Sequence, residues 1–337
     1  MKSRPIVIPS DKAMEQYIAA RYEEEVHGPA KRAIRTRNTK VQQTESKRVK
    51  FFDFKGLMAP VFTAFKNNEE QSLEIQHIDR YAEWLKFNRI SGVLVNGMSG
   101  EGPALGLSER MRNAEAWWEA AQKYELVMFL QVGGAPLPDV LVMADHAHEL
   151  GVHAVLCLPE LFYKPTTVEQ LVSYMRLVAK RCAALPFFYY HLPLSTGVYL
   201  NMRDFCKLAE ETIPNFYGIH FASNDLDDGE ACLREGRVII LGNSRLLACG
   251  LLVGFESALM TVLNIRPDLG WAIWNAMLNN NLETARDTQM LLNNKISYYM
   301  GRSNEHGYIQ AMKQWFDDEV RQGNGPGFFI GSARKFF

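Results

Sequence analysis

Two apolar segments of this chain end in side chains that can move protons. One is Pro186-Phe187-Phe188-Tyr189-Tyr190-His191-Leu192-Pro193, running on to Thr196-Gly197-Val198. The other is Phe216-Tyr217-Gly218-Ile219-His220-Phe221, followed by Asn224-Asp225-Leu226. Tyr190 supplies a phenol and His220 an imidazole, which acts as base, acid or metal ligand near neutral pH. Hydroxyls at Ser99, Ser244 and Thr261 stand at the ends of three other apolar runs, beside Gly100 and Gly242. Arg245 next to Ser244 suits a carboxylate or phosphate fork, so Arg245 and His220 together form one candidate anion site. His191 follows Tyr190 and points to the opposite face of its strand. His220 therefore has no obvious His or carboxylate neighbour from another strand end, and no metal site or other cofactor is expected.

The elements that must position these groups alternate. Short apolar runs begin at Gly56–Phe62, Gly92–Asn96, Leu126–Gly133, Ala154–Leu158, Pro186, Phe216, Val238–Gly242 and Ser257–Val262. Helical spacing lies between them, over 72–87, 108–123, 139–150, 167–184, 201–212, 225–234 and 245–253. Ser108 is the expected N-cap of its helix, and Gly151 a C-cap. Two further helices are expected over 268–300 and one over 307–320. Apolar runs without polar alternation read as parallel strands buried on both faces. Eight such units over roughly 250 residues predict an α/β fold, a (β/α)8 TIM barrel, whose chemistry sits at the C-terminal strand ends. No Gly-x-Gly-x-x-Gly follows the first strand, which argues against a doubly wound sheet. The predicted layout is an N-terminal polar tail over 1–50, the barrel over 51–265, a C-terminal helical extension over 266–325 and a tail over 326–337.

Composition narrows the class. The 337 residues are 47% hydrophobic and carry a formal net charge of −1, so nothing global calls for nucleic acid or an acidic membrane. The charge is unevenly placed. Residues 1–50 hold 12 Lys+Arg against 6 Asp+Glu, a formal +6, and the remainder is −7. From His27 to Lys50 the arm is basic without apolar periodicity, which fits either a solvated tail or a docking arm for an acidic protein or filament surface. A short helix is expected over 11–26. The five cysteines are widely spaced with no Cys-x-x-Cys pair, which predicts reduced, mostly buried thiols and a cytoplasmic protein. No run of 18 uncharged apolar residues and no secretory h-region are found, so neither a membrane span nor a signal peptide is expected.

Three motifs in order carry a resemblance. Gly97-Met98-Ser99-Gly100-Glu101-Gly102 resembles the Gly-x-x-Gly-Glu loop of the N-acetylneuraminate lyase and dihydrodipicolinate synthase family. Phe187 to Val198, and Gly218-Ile219-His220-Phe221 with Asp225-Leu226, are similar to the lyase branch. The segment Leu194-Ser195-Thr196 lacks the arginine that the synthase branch places there. The resemblance runs from about Gly56 to about Phe316 and implies a barrel that assembles as a homo-oligomer, a tetramer in the family. It also implies an aldolase chemistry in which a lysine amine forms a Schiff base with an α-keto acid.

The same resemblance puts His220 where that lysine belongs, and imidazole makes no stable iminium with a ketone. Tyr190 and Ser99 match retained family positions. Met98 replaces the first hydroxyl of the carboxylate-binding pair. Ser244 and Arg245 replace an Asp-Glu pair that holds sugar hydroxyls. Thr261 keeps a hydroxyl, Met260 adds bulk where the family has glycine, and Ala222 replaces a small hydroxyl residue. Lys164 is the nearest other lysine by strand position. The expectation is a catalytically degenerate lyase-like protein with a structural, scaffolding or binding role. The alternatives are an active carbon-carbon lyase releasing pyruvate from a sialic-acid-like α-keto acid, and a sugar-acid or small-anion sensor.

Overall fold

The computed structural model describes residues 52, 54–302 and 307–334. The basic arm and its helix over 11–26 lie outside the described residues. The first strand, β1 (Gly56–Pro60), is followed by a small antiparallel hairpin, β2 (Ala64–Phe65) with β3 (Leu73–Glu74). Then come β4 (Gly92–Val95), β5 (Val127–Gln131), β6 (Ala154–Cys157), β7 (Phe187–His191), β8 (Phe216–Phe221), β9 (Val238–Leu241) and β10 (Ser257–Leu259). Apart from the hairpin, these strands pair in parallel and close a ring in the order β1-β10-β9-β8-β7-β6-β5-β4. The predicted eight-stranded barrel is present. Met58, Leu94, Phe129, Leu156, Phe188 and Ile240 share one buried cluster within it. Large apolar side chains from successive strands interdigitate there, so the interior is packed rather than hollow.

The intervening helices are α1 (Ile78–Phe87), α2 (Leu107–Lys123), α3 (Leu137–Leu150), α4 (Val168–Arg181), the short α5 (Pro193–Thr196), α6 (Met202–Thr212), α7 (Leu226–Glu230) and α8 (Leu247–Val253). Local chemistry sets their ends. Thr167 and Asn201 accept backbone N–H bonds at the starts of α4 and α6, at 3.3 and 2.8 Å. Gly151 ends α3 with φ 72°, a left-handed conformation that glycine adopts without strain. Four expectations need correction. The helix expected over 72–87 begins at Ile78, because residues 73 and 74 form β3. Helix α2 begins at Leu107, so Ser108 lies in its first turn, and Glu109 reaches back to the Gly106 N–H at 3.0 Å. Helix α7 stops at Glu230 rather than 234, because Cys232 N–H bonds Gly229 O and Arg237 binds Cys232 O. Strand β10 ends at Leu259, and residues Thr261–Asn264 turn into a 3-10 helix whose Asn264 side chain donates to Pro60 O at 2.8 Å. Of the five cysteines, 157, 182, 206 and 232 are buried free thiols and Cys249 is exposed.

Beyond the ring, α9 (Pro267–Leu278), α10 (Leu282–Arg302) and α11 (Gly307–Arg321) pack in succession. From Gly323 to Arg334 the chain returns as a strap. Asp317 accepts the N–H groups of Ile330 and Gly331, and Gln310 accepts that of Ala333. Lys313 of α11 is fully buried. Its ammonium pairs with Glu101 and donates to Thr63 O (2.6 Å) and Ser332 O (3.2 Å). The pair has buried charge on both sides, so removing one partner strands the other in a medium that solvates it poorly. Lys313→Met is expected to lower the unfolding free energy by about 3–5 kcal/mol in chemical denaturation. The double variant with Glu101→Gln should recover most of that loss; an equal loss in both would contradict the pairing.

Candidate active site

A bulge decides which side chains enter the barrel mouth. Along β7 and β8, Phe187 pairs with Phe216, but Phe188 pairs with Gly218, so Tyr217 is an extra residue in β8. Extra residues of this kind shift the alternation of faces by one. Tyr217 packs edge-on against Phe52 at 6.4 Å, and from Gly218 onward the register aligns Tyr190 with His220 and His191 with Phe221. Gly218 has φ 156°, and a Cβ there would stand 1.8 Å from Val238 O, so only glycine fits beside the bulge. Tyr190 and His220 therefore turn inward, with ring centroids 4.7 Å apart. His191 turns outward and stacks on Phe221 at 5.2 Å. Among the described residues, no group of three or more His, Cys, Asp or Glu side chains is placed to hold a metal ion.

His220 is 2% exposed. Its Nε2 lies 3.2 Å from Leu259 O, which makes Nε2 the donor and leaves Nδ1 as a buried lone pair without a partner among the described residues. Burial pushes the imidazole down to about 4, opposed by the bond to Leu259. Gly242 lies flat against the ring: a Cβ there would be 2.5 Å from Cε1 and 2.6 Å from Nε2. His220 is thus a neutral, wedged side chain. His191 is also held at about 4, chiefly by burial.

The loop bearing Met98 and Ser99 is clamped from several sides. Asn96, in a left-handed conformation at φ 58°, is bonded by Asn113 at 2.8 Å and donates to Arg110 O at 2.9 Å. Gly102 packs so closely on Asn96 O that a Cβ would come within 1.9 Å. Thr63 donates to Gly100 O at 2.6 Å. So held, Ser99 meets Thr261 with their hydroxyl oxygens 2.8 Å apart. The Met98 N–H bonds the Tyr190 hydroxyl, and burial raises the Tyr190 pKa, which keeps it a protonated phenol. The Met98 side chain brings a sulfur, to which the Ser195 hydroxyl donates at 3.6 Å.

A side chain not singled out from the sequence completes the cluster. The Tyr308 hydroxyl, from the first turn of α11, is hydrogen-bonded with Thr261 and Ser244. It lies some fifty residues beyond Thr261, and nothing local marks it. Ser99, Thr261, Tyr308 and Ser244 form a chain of hydroxyls at the strand ends, with Tyr190 beside it. Arg245 leaves this cluster. Its guanidinium donates to Asn293 O (3.4 Å) and Ser297 Oγ (3.1 Å) on α10. Lys164 is exposed, and its Nζ lies beside Gly197. The mouth itself is a chamber of about 540 Å³, walled by Met98, Leu158, Leu161, Leu192, Ile309 and the strap residues Ala333 and Arg334, and none of the described lysines lines it.

The arrangement can donate protons from neutral hydroxyls and a phenol. It offers an uncharged imidazole and no free amine among the lining residues.

Comparison with known proteins agrees with this geometry. The Dihydrodipicolinate synthetase family matches residues 53–316. N-acetylneuraminate lyase B of Xenopus laevis is 31% identical over 241 residues, which is 71% of this chain and 90% of that protein. Human N-acetylneuraminate lyase is 30% identical over 214 residues, 62% of this chain and 66% of that protein. Among solved structures, N-acetylneuraminate lyase of Proteus mirabilis superposes with a TM-score of 0.76 at 27% identity, covering 84% of this chain and 92% of that one. The enzyme of Aliivibrio salmonicida gives 0.75 at 27% identity, over 83% and 90%. This chain belongs to the dihydrodipicolinate synthetase family of TIM-barrel carbon-carbon lyases, with N-acetylneuraminate lyases as its relatives.

Proposed function

We propose that this chain is an N-acetylneuraminate lyase-like barrel that does not form the Schiff base and acts as a binding or scaffolding protein. One observation carries the reading. The inward position at the end of β8 is a buried, neutral His220 bonded to Leu259 O, and none of the described lysines lines the chamber at the mouth. The remaining lysine candidates support the same reading. Lys164 is exposed beside Gly197 and is not among the residues of the chamber wall, and Lys313 is held behind Glu101 by three bonds. Recognition of a polyhydroxylated chain is weakened as well, because Arg245 faces α10 and Ser244 is engaged by Tyr308. The sensor reading loses its cation for the same reason. Docking through residues 27–50 on an acidic surface belongs to this proposal, as does self-association. Large apolar side chains on α9 and α10, including Leu278, Leu282, Met290 and Tyr298, are exposed and suit a second copy.

The competing reading is a working aldolase, favoured by the retained Tyr190 and the Ser99–Thr261 pair. Borohydride reduction in the presence of pyruvate or N-acetylneuraminate separates the two. Mass spectrometry is expected to find no covalent adduct, and an adduct on any lysine would sink the proposal. A lysine restored by His220→Lys is expected to leave aldol cleavage at least about 100-fold below an N-acetylneuraminate lyase, because positions 98, 244 and 245 still lack their hydroxyl and carboxylates; recovered turnover would show that the histidine alone accounts for the loss.

The imidazoles also predict a pH response. A histidine bound neutral at about 4 in the folded state and near 6.5 when unfolded takes up protons preferentially on unfolding between those values. Stability is therefore complete above pH 6.5 and falls as pH drops towards 4, by on the order of 3 kcal/mol for each imidazole. His220→Gln removes one of the two contributions. Its unfolding free energy should fall less steeply between pH 6.5 and 5; a slope equal to that of the unaltered protein would contradict the neutral, buried assignment.

A further inference from the structure

Two buried thiols meet where α6 packs beside α7. The Met202 N–H, in the first turn of α6, donates to Asp228 Oδ1 of α7 at 3.3 Å. Cys206 lies one helical turn beyond Met202, and Cys232 the same step beyond Asp228. Past Glu230 the chain continues as a tighter turn, with the Ala231 N–H on Asp227 O at 3.0 Å and the Cys232 N–H on Gly229 O at 3.2 Å. Both side chains therefore return to the seam that the Met202–Asp228 bond defines. There the Cys232 S–H donates to Asp228 O at 3.1 Å, and the Cys206 S–H donates to the Cys232 sulfur. Arg237 ties the same two segments again, through Glu210 of α6 and Cys232 O, both at 2.7 Å. The other buried thiols turn to carbonyls instead, Cys157 to Leu158 O and Cys182 to Val178 O.

We propose that Cys206 and Cys232 are a site of reversible disulfide formation, with a peroxide as oxidant and an opening of α7 as the way in. Hydrogen peroxide oxidises one thiol to a sulfenic acid and is itself reduced to water. The sulfur of the second thiol then attacks the sulfenic sulfur and a second water leaves, so two thiols and one peroxide give one disulfide and two waters. A thiol reductant restores both thiols by exchange. Neither sulfur is exposed while α7 is closed, and the bond to Cys232, with burial, holds the Cys206 thiol protonated and unreactive. Helix α7 is five residues long and is capped by Asp225, which accepts the Asp228 N–H at 3.2 Å. So short a helix opens locally at a smaller cost than the whole barrel. The disulfide closes residues 206–232 into a ring that contains all of β8 and His220, and it removes opened forms of that segment.

The test uses the full chain carrying Cys249→Ser, which removes the exposed thiol. It is treated with hydrogen peroxide, unfolded, alkylated and mapped by mass spectrometry. The expected product has Cys206 joined to Cys232, Cys157 and Cys182 both alkylated, and full reversal by dithiothreitol. Asp225→Ala removes the cap of α7 and should speed formation of the link about fivefold. Thr167→Ala, which removes the cap of α4, should leave the rate unchanged. Circular dichroism checks that each variant folds. Four results would overturn the proposal: no link at a peroxide exposure that fully oxidises Cys249 in the unaltered chain, a link between Cys157 and Cys182 or between two chains, equal rates in the two cap variants, or loss of all four buried thiols together, which marks global unfolding.

Discussion

The buried ion pair between Lys313 and Glu101 joins the last helix to the first functional loop of the barrel. Neither charge is solvated, so both must stay where the other is, and the segments that carry them are held in one geometry. Helix α11 then presents Tyr308 to Thr261 and Ser244. The strap is fixed through Ser332 O and through the Arg334 N–H on the second oxygen of Glu101. Glu101 itself takes a left-handed conformation at φ 54°, an arrangement a non-glycine residue keeps only when its surroundings enforce it. The mouth loop, the hydroxyl cluster and the chamber wall are consequences of that one pair.

A second constraint acts at the opposite side of the ring. The extra residue Tyr217 sets the phase of β8, and without it Ile219 and Phe221 would face the interior in place of His220. The pairing of an inward tyrosine on β7 with an inward side chain on β8 is thus a property of the backbone, independent of which residue stands at 220.

Much of this was legible in the residues. Uninterrupted apolar runs announced parallel strands buried on both faces, because such strands have no solvent side to encode. The place of Tyr190 and His220 at strand ends followed from the apolar runs they close, and the Gly-rich loop marked the place of Ser99, but the extra residue Tyr217 that turns His220 inward left no local signal. What the sequence did not announce depends on long-range contacts. Tyr308, Lys313 and Arg334 reach the mouth from helices and a strap distant in the chain, and their local sequence reads as an ordinary amphipathic helix and a polar tail. The direction of Arg245 was equally hidden, since it is decided by carbonyl and hydroxyl acceptors on α10. The hairpin of β2 and β3 has strands of two residues, too short to leave a period.

The close approach of Gly242 to His220 has a consequence of its own. With the glycine backbone against one ring edge and Leu259 O fixing Nε2, the imidazole has no room to turn over and one tautomer is selected. It is then a permanent dipole set into the barrel, pointing its lone pair into apolar surroundings and its N–H at a carbonyl. Such a group shapes the local potential without exchanging a proton on the time scale of a reaction. At position 220 the side chain is part of the dielectric lining of the barrel.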